Sequence, residues 1–249
     1  MAPETLNCFF QRYRFQQHLR TKAYIYLMVQ MGKTAVVLGA TGVVGKLLVL
    51  QLLQDYRYEQ IHIIGRNPLD FDHYKIKETL YADLEKGLKE HPINGDHLYC
   101  CLGSTKAKTP KIEDYKKVDV ALPLLACSQA KEARFEAVVV VSSLGANAHS
   151  KNFYSQMKGE MEDELEALDL PKIHFVQPSV ILGERKEFRL VELIGKGLMR
   201  ALFFIWKGPL KEYKPIQAAD ISKAMIWLAN TPYDARKVTS SKLIEIANY

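Results

Sequence analysis

The chain has 249 residues, 48% of them apolar and 25% charged, a balance that excludes disorder, collagen and a disulfide miniprotein and fits one large domain or two small ones. Its net charge of +6 comes from 34 basic and 28 acidic residues, but residues 1–30 supply +3 of it, with Arg12, Arg14, Arg20 and Lys22 against Glu4 alone. That distribution argues against a nucleic-acid surface. The longest apolar stretch, Phe188 to Trp206, is broken by Arg189, Glu192, Lys196 and Arg200, so no bilayer crossing is expected. Cys8, Cys100, Cys101 and Cys127 are too few and too irregular for a disulfide framework or a zinc site, and the protein is expected in the reducing cytoplasm, without a metal.

Residues 1–30 read as an extension outside the fold. They are rich in Arg, Gln and aromatics and carry no small-residue cleavage pattern, which makes a poor secretory signal. An upstream start codon and an accessory helix or anchor stand as equal readings. Residues 31–249 form the expected domain.

Thr34 to Leu38 is a short β-branched run of the kind found in buried parallel strands. Gly39-Ala-Thr41-Gly42-Val43-Val44-Gly45 follows, and then leucines at helical spacing over Lys46 to Gln54. Strand, glycine turn and helix in this order make a dinucleotide site. Gly39 serves the tight turn, Gly42 the approach to a diphosphate, and Gly45 the packing of helix on strand, while open N–H groups at the helix start face the anion.

A second strand, Gln60 to Ile64, ends in Gly65-Arg66-Asn67, where an acid would hold the ribose of NAD. Arg66 offers instead a cationic fork for the 2′-phosphate of NADP, so NADPH is the expected cofactor, with NAD as the alternative. After a third strand, Lys77 to Ala82, Asp83 either accepts from the adenine amino group or caps the next helix. Asp96 to Cys101 reads as a fourth strand, closed by the small-residue turn Leu102-Gly103-Ser104.

Glu136 to Val141 is a fifth strand and ends in Ser142-Ser143. Twelve residues beyond Ser142, Tyr154-Ser-Gln-Met-Lys158 opens a helical stretch to Leu168, with Tyr154 and Lys158 one turn apart. With 13 tyrosines and 24 lysines in the chain, roughly one such pair is expected by chance. The second copy, Tyr233 to Lys237, lies in a turn-like stretch and is assigned to chance. A tyrosine works as acid or base near neutrality when a cation favours its phenolate, and a strand-end serine can polarise a carbonyl. Tyr154, Lys158 and either Ser142 or Ser143 are therefore the expected catalytic set.

In the last third, Ile173 to Gln177 is a sixth strand and Pro178 carries the chain over the active site. Phe188 to Trp206 reads as an amphipathic helix that caps a substrate cleft, mediates a homodimer or lies on a membrane, with the cap preferred. Asp220 to Asn230 reads as a helix capped by Asp220, and Leu243 to Ile246 as a closing strand. The fold class is α/β, a doubly wound parallel sheet of Rossmann type with a small substrate lobe formed mainly by residues 178–217.

With these motifs in order, the chain resembles the atypical short-chain dehydrogenases/reductases, and among them the Tat-interacting-protein oxidoreductases. The resemblance begins near Thr34 and rests on Cys100-Cys-Leu-Gly103, Ser142-Ser-Leu-Gly-Ala146 and Asn152 to Glu160. It implies that Thr41, Gly42, Val43, Val44 and Arg66 line the phosphates of NADP, Leu102 and Gly103 the adenosine ribose, and Tyr154 and Lys158 the nicotinamide end, with Pro178 nearby. Three positions depart from the family pattern: Asn67 where a second arginine often follows Arg66, Gln177-Pro178-Ser179 where Arg-Pro-Gly is expected, and Asp119 near the usual relay asparagine. The expected activity is hydride transfer between NADPH and a small carbonyl or alcohol. The competing classes are an NADPH-sensing regulator with little turnover and a sugar-nucleotide epimerase.

Overall fold

The computed structural model describes residues 32–104, 111–183 and 208–249. The expected extension at 1–30 and the helix at 188–206 lie outside them.

β1 (Lys33–Leu38) runs into α1 (Val43–Gln54), β2 (Tyr58–Gly65) and β3 (Ile76–Leu80), then α2 (Leu84–Glu90) and β4 (His97–Cys100). Next come α3 (Ile112–Lys116), a wide π-turn (Lys117–Ala121) and α4 (Leu122–Glu132), followed by β5 (Ala137–Val141), α5 (Phe153–Glu166) and β6 (Ile173–Gln177). The chain closes with β7 (Ile181–Leu182), a 3-10 turn (Gly208–Tyr213), β8 (Ile216–Gln217), α6 (Ala218–Asn230), β9 (Lys237–Thr239) and α7 (Ser240–Ile246). Seven strands form one sheet in the order β3-β2-β1-β4-β5-β6-β9, and every pair in it is parallel. Strand order reverses between β1 and β4. Open α/β sheets bind ligands at such a reversal, outside the carboxyl ends of the strands.

Alternation along the strands builds two apolar layers. Val37, Tyr99, Val139 and Val176 face α1, α6 and α7, packing with Leu48, Leu52, Met225 and Leu243. Val36, Leu98, Val138 and Val140 face α2, α4 and α5, packing with Leu88, Ala126, Met161 and Leu165. With both faces covered, the central strands β1, β4, β5 and β6 are buried along most of their length.

Two expected elements differ. Leu243 to Ile246 lies in helix α7, and the closing strand is Lys237–Thr239; Leu243 and Ile246, three apart, are its buried apolar residues, which is helical spacing. Helix α6 begins two residues before Asp220, with Gln217 at its N-cap, because Ala218 and Ala219 are strong helix formers. Asp220 lies in the first turn, where a carboxylate suits the helix dipole. Of the expected lobe at 178–217, the described part is a small parallel pair, β7 with β8.

At the amino ends of the strands sits a buried polar cluster. The Tyr58 hydroxyl lies 2.7 Å from His97 Nδ1 and 2.6 Å from the Tyr99 hydroxyl, and it accepts from Asn230 Nδ2 at 2.7 Å. Burial and the Lys33 ammonium, opposed by Glu136, push the His97 pKa down to about 4, so His97 is neutral at physiological pH. Its folded pKa lies below the unfolded value, so the unfolded chain takes up this proton first as pH falls. The stability His97 contributes is therefore present above about pH 6.5 and lost towards about pH 4. Urea midpoints should drop between about pH 7.5 and about pH 5, and His97→Gln should flatten that slope; an unchanged slope would remove His97 as its source.

Candidate functional site

The site begins at the turn after β1. Gly39 has φ +79°, and a Cβ there would lie 2.5 Å from the Cys101 carbonyl oxygen. A Cβ on Gly45 would lie 2.2 Å from the Gly39 carbonyl oxygen. These contacts seat α1 directly on the end of β1 and beside the turn that follows β4. Gly42 is the N-cap of α1, makes no side-chain capping bond, and the first turn holds no acid. The amides that begin α1 are thus uncapped by any side chain, which suits an anion.

Around this turn the structure gathers the strand ends. Thr41 is exposed, Val43 half-buried and Val44 buried, and Val43 Cγ1 packs against Gly183. Arg66 is exposed just after β2 and forms no salt bridge among the described residues. Asp83 does cap α2: Oδ1 accepts from the Glu85 and Lys86 amides at 3.0 and 3.3 Å. Leu102 and Gly103 follow β4, and a Cβ on Gly103 would lie 3.7 Å from both Asp119 Oδ1 and Lys158 Nζ. Pro178 is buried, and its carbonyl accepts from the Leu144 amide at 2.9 Å, tying the turns after β5 and β6 together.

Asn152 caps α5 through the amides of Tyr154 and Ser155. That cap starts the helix so that Tyr154 is 42% exposed while Lys158, one turn on, is 2% exposed. Lys158 Nζ lies 2.9 Å from Asp119 Oδ1 and 3.4 Å from the Val141 carbonyl oxygen. Burial works against the Lys158 ammonium, but the Asp119 carboxylate outweighs it, with Tyr154 in support, and the pKa stands above the ordinary lysine value.

The two serines separate. Ser142 is buried and its hydroxyl donates to Glu162 Oε1, so its proton is engaged within the scaffold. Glu162, buried on α5, also accepts from Gln177 Nε2 at 2.9 and 3.1 Å and pairs with Lys237 Nζ at 3.3 Å. Ser143 is half-buried, its hydroxyl only 3.4 Å from the Leu144 carbonyl oxygen. Lys237, from the second Tyr-x-x-x-Lys copy, thus serves an ion pair with Glu162 and Glu166.

Sequence reading missed Glu162 and saw Asp119 only as a departure from pattern. Glu162 stands four residues after Lys158, on the face that buries Met157, Met161 and Leu165; charges at helical spacing on an apolar face were the available signal.

Comparison with known proteins supplies the family. Protein FMP52, mitochondrial, of Candida albicans is 32% identical over 197 residues, covering 76% of this chain and 85% of that one. The chain belongs to the FMP52 and HTATIP2 family of atypical short-chain dehydrogenases. Protein HTATIP2 of Rattus norvegicus, in the same family, is 30% identical over 178 residues, 70% of this chain and 73% of that one. No protein-family model matches the chain. Among solved structures, the Bordetella bronchiseptica enzyme WbmF in complex with NAD+ superposes with a TM-score of 0.61 at 15% identity, over 88% of this chain and 78% of that one, which shows the shared fold. The FMP52 relatives are named mitochondrial, and this overturns the expectation of a cytoplasmic protein; low cysteine usage does not distinguish one reducing compartment from another.

The crowding around Gly39 can be measured. Gly39→Ala combines a left-handed backbone with a clash against backbone atoms and should cost ~2 kcal/mol or more. Gly145→Ala, also at φ +79° but with nothing within 4 Å, should cost about 1 kcal/mol. Equal costs in denaturant titrations would show that the contact with Cys101 is not tight.

Proposed function

We propose that this FMP52-family chain is an NADP-dependent oxidoreductase acting on a small carbonyl or alcohol. The observation that carries the reading is Tyr154, exposed one helical turn from the buried, charged Lys158, beside a glycine turn whose helix N-terminus no side chain caps. The residues fit a dinucleotide. Gly39, Thr41, Gly42, Val43, Val44 and Gly45 would hold the diphosphate, Arg66 the 2′-phosphate, Leu102 and Gly103 the adenosine side, and Lys158, Tyr154 and Pro178 the nicotinamide side. The WbmF complex with NAD+ supports a nicotinamide cofactor for this fold. When bound, the nicotinamide supplies or accepts the hydride.

The chain's own groups manage the proton. Tyr154 Oη donates to the substrate oxygen during reduction and recovers the proton during oxidation. The Lys158 charge favours the phenolate left behind. Ser143 Oγ, with Ser142 engaged by Glu162, donates a hydrogen bond to the same oxygen. The relatives' names support mitochondrial action, and the acid-poor, Arg-bearing residues 1–30 are the segment to test. Fused to a fluorescent protein, they should direct it to mitochondria; diffuse fluorescence would count against that address.

A panel of small aldehydes and ketones, followed by NADPH consumption, tests the activity. Tyr154→Phe should cost at least about a hundredfold in turnover while NADPH affinity changes less than about twofold. An undiminished rate removes Tyr154 from the chemistry. Arg66→Ala should weaken NADPH about tenfold or more and leave NADH unaffected, whereas equal native affinities for the two would refute the NADP preference. Tight NADPH binding without turnover across the panel would favour the regulatory class.

A further inference from the structure

A lysine taken wholly out of water normally surrenders its proton, because burial penalises the charged form. Lys158 is 2% exposed and yet charged, and the structure shows what holds it. The wide turn Lys117–Ala121 carries Asp119 into the interior, where it is fully buried. One Asp119 oxygen lies 2.9 Å from Lys158 Nζ, and the other accepts from the Ser104 amide at 2.8 Å. The Ser104 carbonyl oxygen accepts in turn from Tyr115 Oη at 3.2 Å. A single carboxylate therefore joins α5, the π-turn and the turn that ends β4. A Cβ on Gly103 would lie 3.7 Å from both members of the pair, so the turn after β4 runs directly beside them.

Apart from Asp119, the groups acting electrostatically on Lys158 are Tyr154 on its own helix and Cys100 on β4. Burial pushes the Cys100 thiol up to about 11, so it is neutral near pH 7. Among the described residues, the carboxylate in contact with Lys158 is that of Asp119.

We propose that Asp119 is a positioning residue of the dinucleotide site, which locks the Lys158 ammonium in charge and in place and ties it, through Ser104, to the turn beside the cofactor. The lock belongs to the cofactor-free protein; its use in binding NADPH rests on the function proposed above. Asp119→Asn keeps an acceptor for the Ser104 amide and removes the charge, so burial then governs Lys158.

Two measurements test this separately. In cofactor-free protein labelled with carbon-13 at lysine Cε, with Lys158→Arg used to assign the signal, native Lys158 should titrate above the exposed lysines and in D119N below them. Lys158 titrating with the exposed lysines in both proteins would overturn the lock. For NADPH, fluorescence titrations between about pH 7 and about pH 9 should give a flat affinity for native protein and a fall of about tenfold in D119N. D119N/K158R should be flat again, since arginine keeps its proton; a slope retained in that double variant would overturn the role assigned to Lys158. If native protein binds no NADPH, the cofactor reading fails and the lysine titration still decides the lock. Should D119N not fold, D119N/K158M removes both charges and recovers the fold if the broken pair was the fault; failure to recover would make Asp119 a packing residue and overturn the proposal.

Discussion

The close approach of α1 to the end of β1 is the constraint on which the crevice depends. Gly45 and Gly39 meet backbone carbonyls at distances no side chain permits, so the helix starts directly over the strand order's reversal. Had the turn been looser by one side chain, the uncapped amides of α1 would stand away from the turn after β4. Because Gly39 abuts Cys101, that turn is fixed in place, and its next residues, Gly103 and Ser104, lie against the Lys158–Asp119 pair. The glycine turn and the helix of Tyr154 and Lys158, more than a hundred residues apart in sequence, thus meet across a single strand end.

The two ends of the sheet solve the burial of polar groups differently. At the amino ends, burial leaves His97 neutral: its Nδ1 meets the Tyr58 hydroxyl in a network with Tyr99 and Asn230, and its Nε2 lies 3.3 Å from the Lys33 ammonium, which pairs with Glu136. At the carboxyl ends, two buried carboxylates flank the buried face of α5, Asp119 paired with Lys158 and Glu162 with Lys237. A fully buried ion pair such as Asp119–Lys158 adds little net stability, but losing one partner costs several kcal/mol, about 3–5, whereas Lys237 is 43% exposed and its pair counts for less. The effect of the two pairs here is specificity: α5 cannot rotate or slide without stranding a charge, so Tyr154 is held at the crevice by residues that never touch it.

The parts of the fold legible in sequence were those where one period dominates. The buried strands and the helix of Tyr154 follow from apolar spacing, and the glycine turn from three glycines spaced three apart between strand and helix. Leu243 to Ile246 did not, because a four-residue apolar run satisfies strand and helix alike, and tertiary packing of Leu243 and Ile246 decides it. Parity could have separated Ser142 from Ser143. Val138 and Val140 face the layer that contains Met161 and Leu165 of α5, and Ser142 continues that alternation towards Glu162, leaving Ser143 on the next position. Asp119 was illegible for a different reason: its inward placement comes from a π-turn, and no regular helical period describes one extra residue in a turn.

The departures at Gln177 and Asp119 therefore differ in kind. Gln177 stands where the resembled dehydrogenases carry arginine, and its amide donates to both oxygens of Glu162 without bringing a charge. The missing cation comes from elsewhere, since Lys237 on β9 reaches the same carboxylate. That substitution is balanced inside the scaffold and leaves the crevice as it was. Asp119 is not balanced in this way, because its charge falls directly on Lys158. An asparagine there could accept the Ser104 amide equally well but could not offset the burial of an ammonium. Asp119 thus makes the hydrogen bond to Ser104 and also supplies the counter-charge at the one lysine on which the proposed chemistry turns.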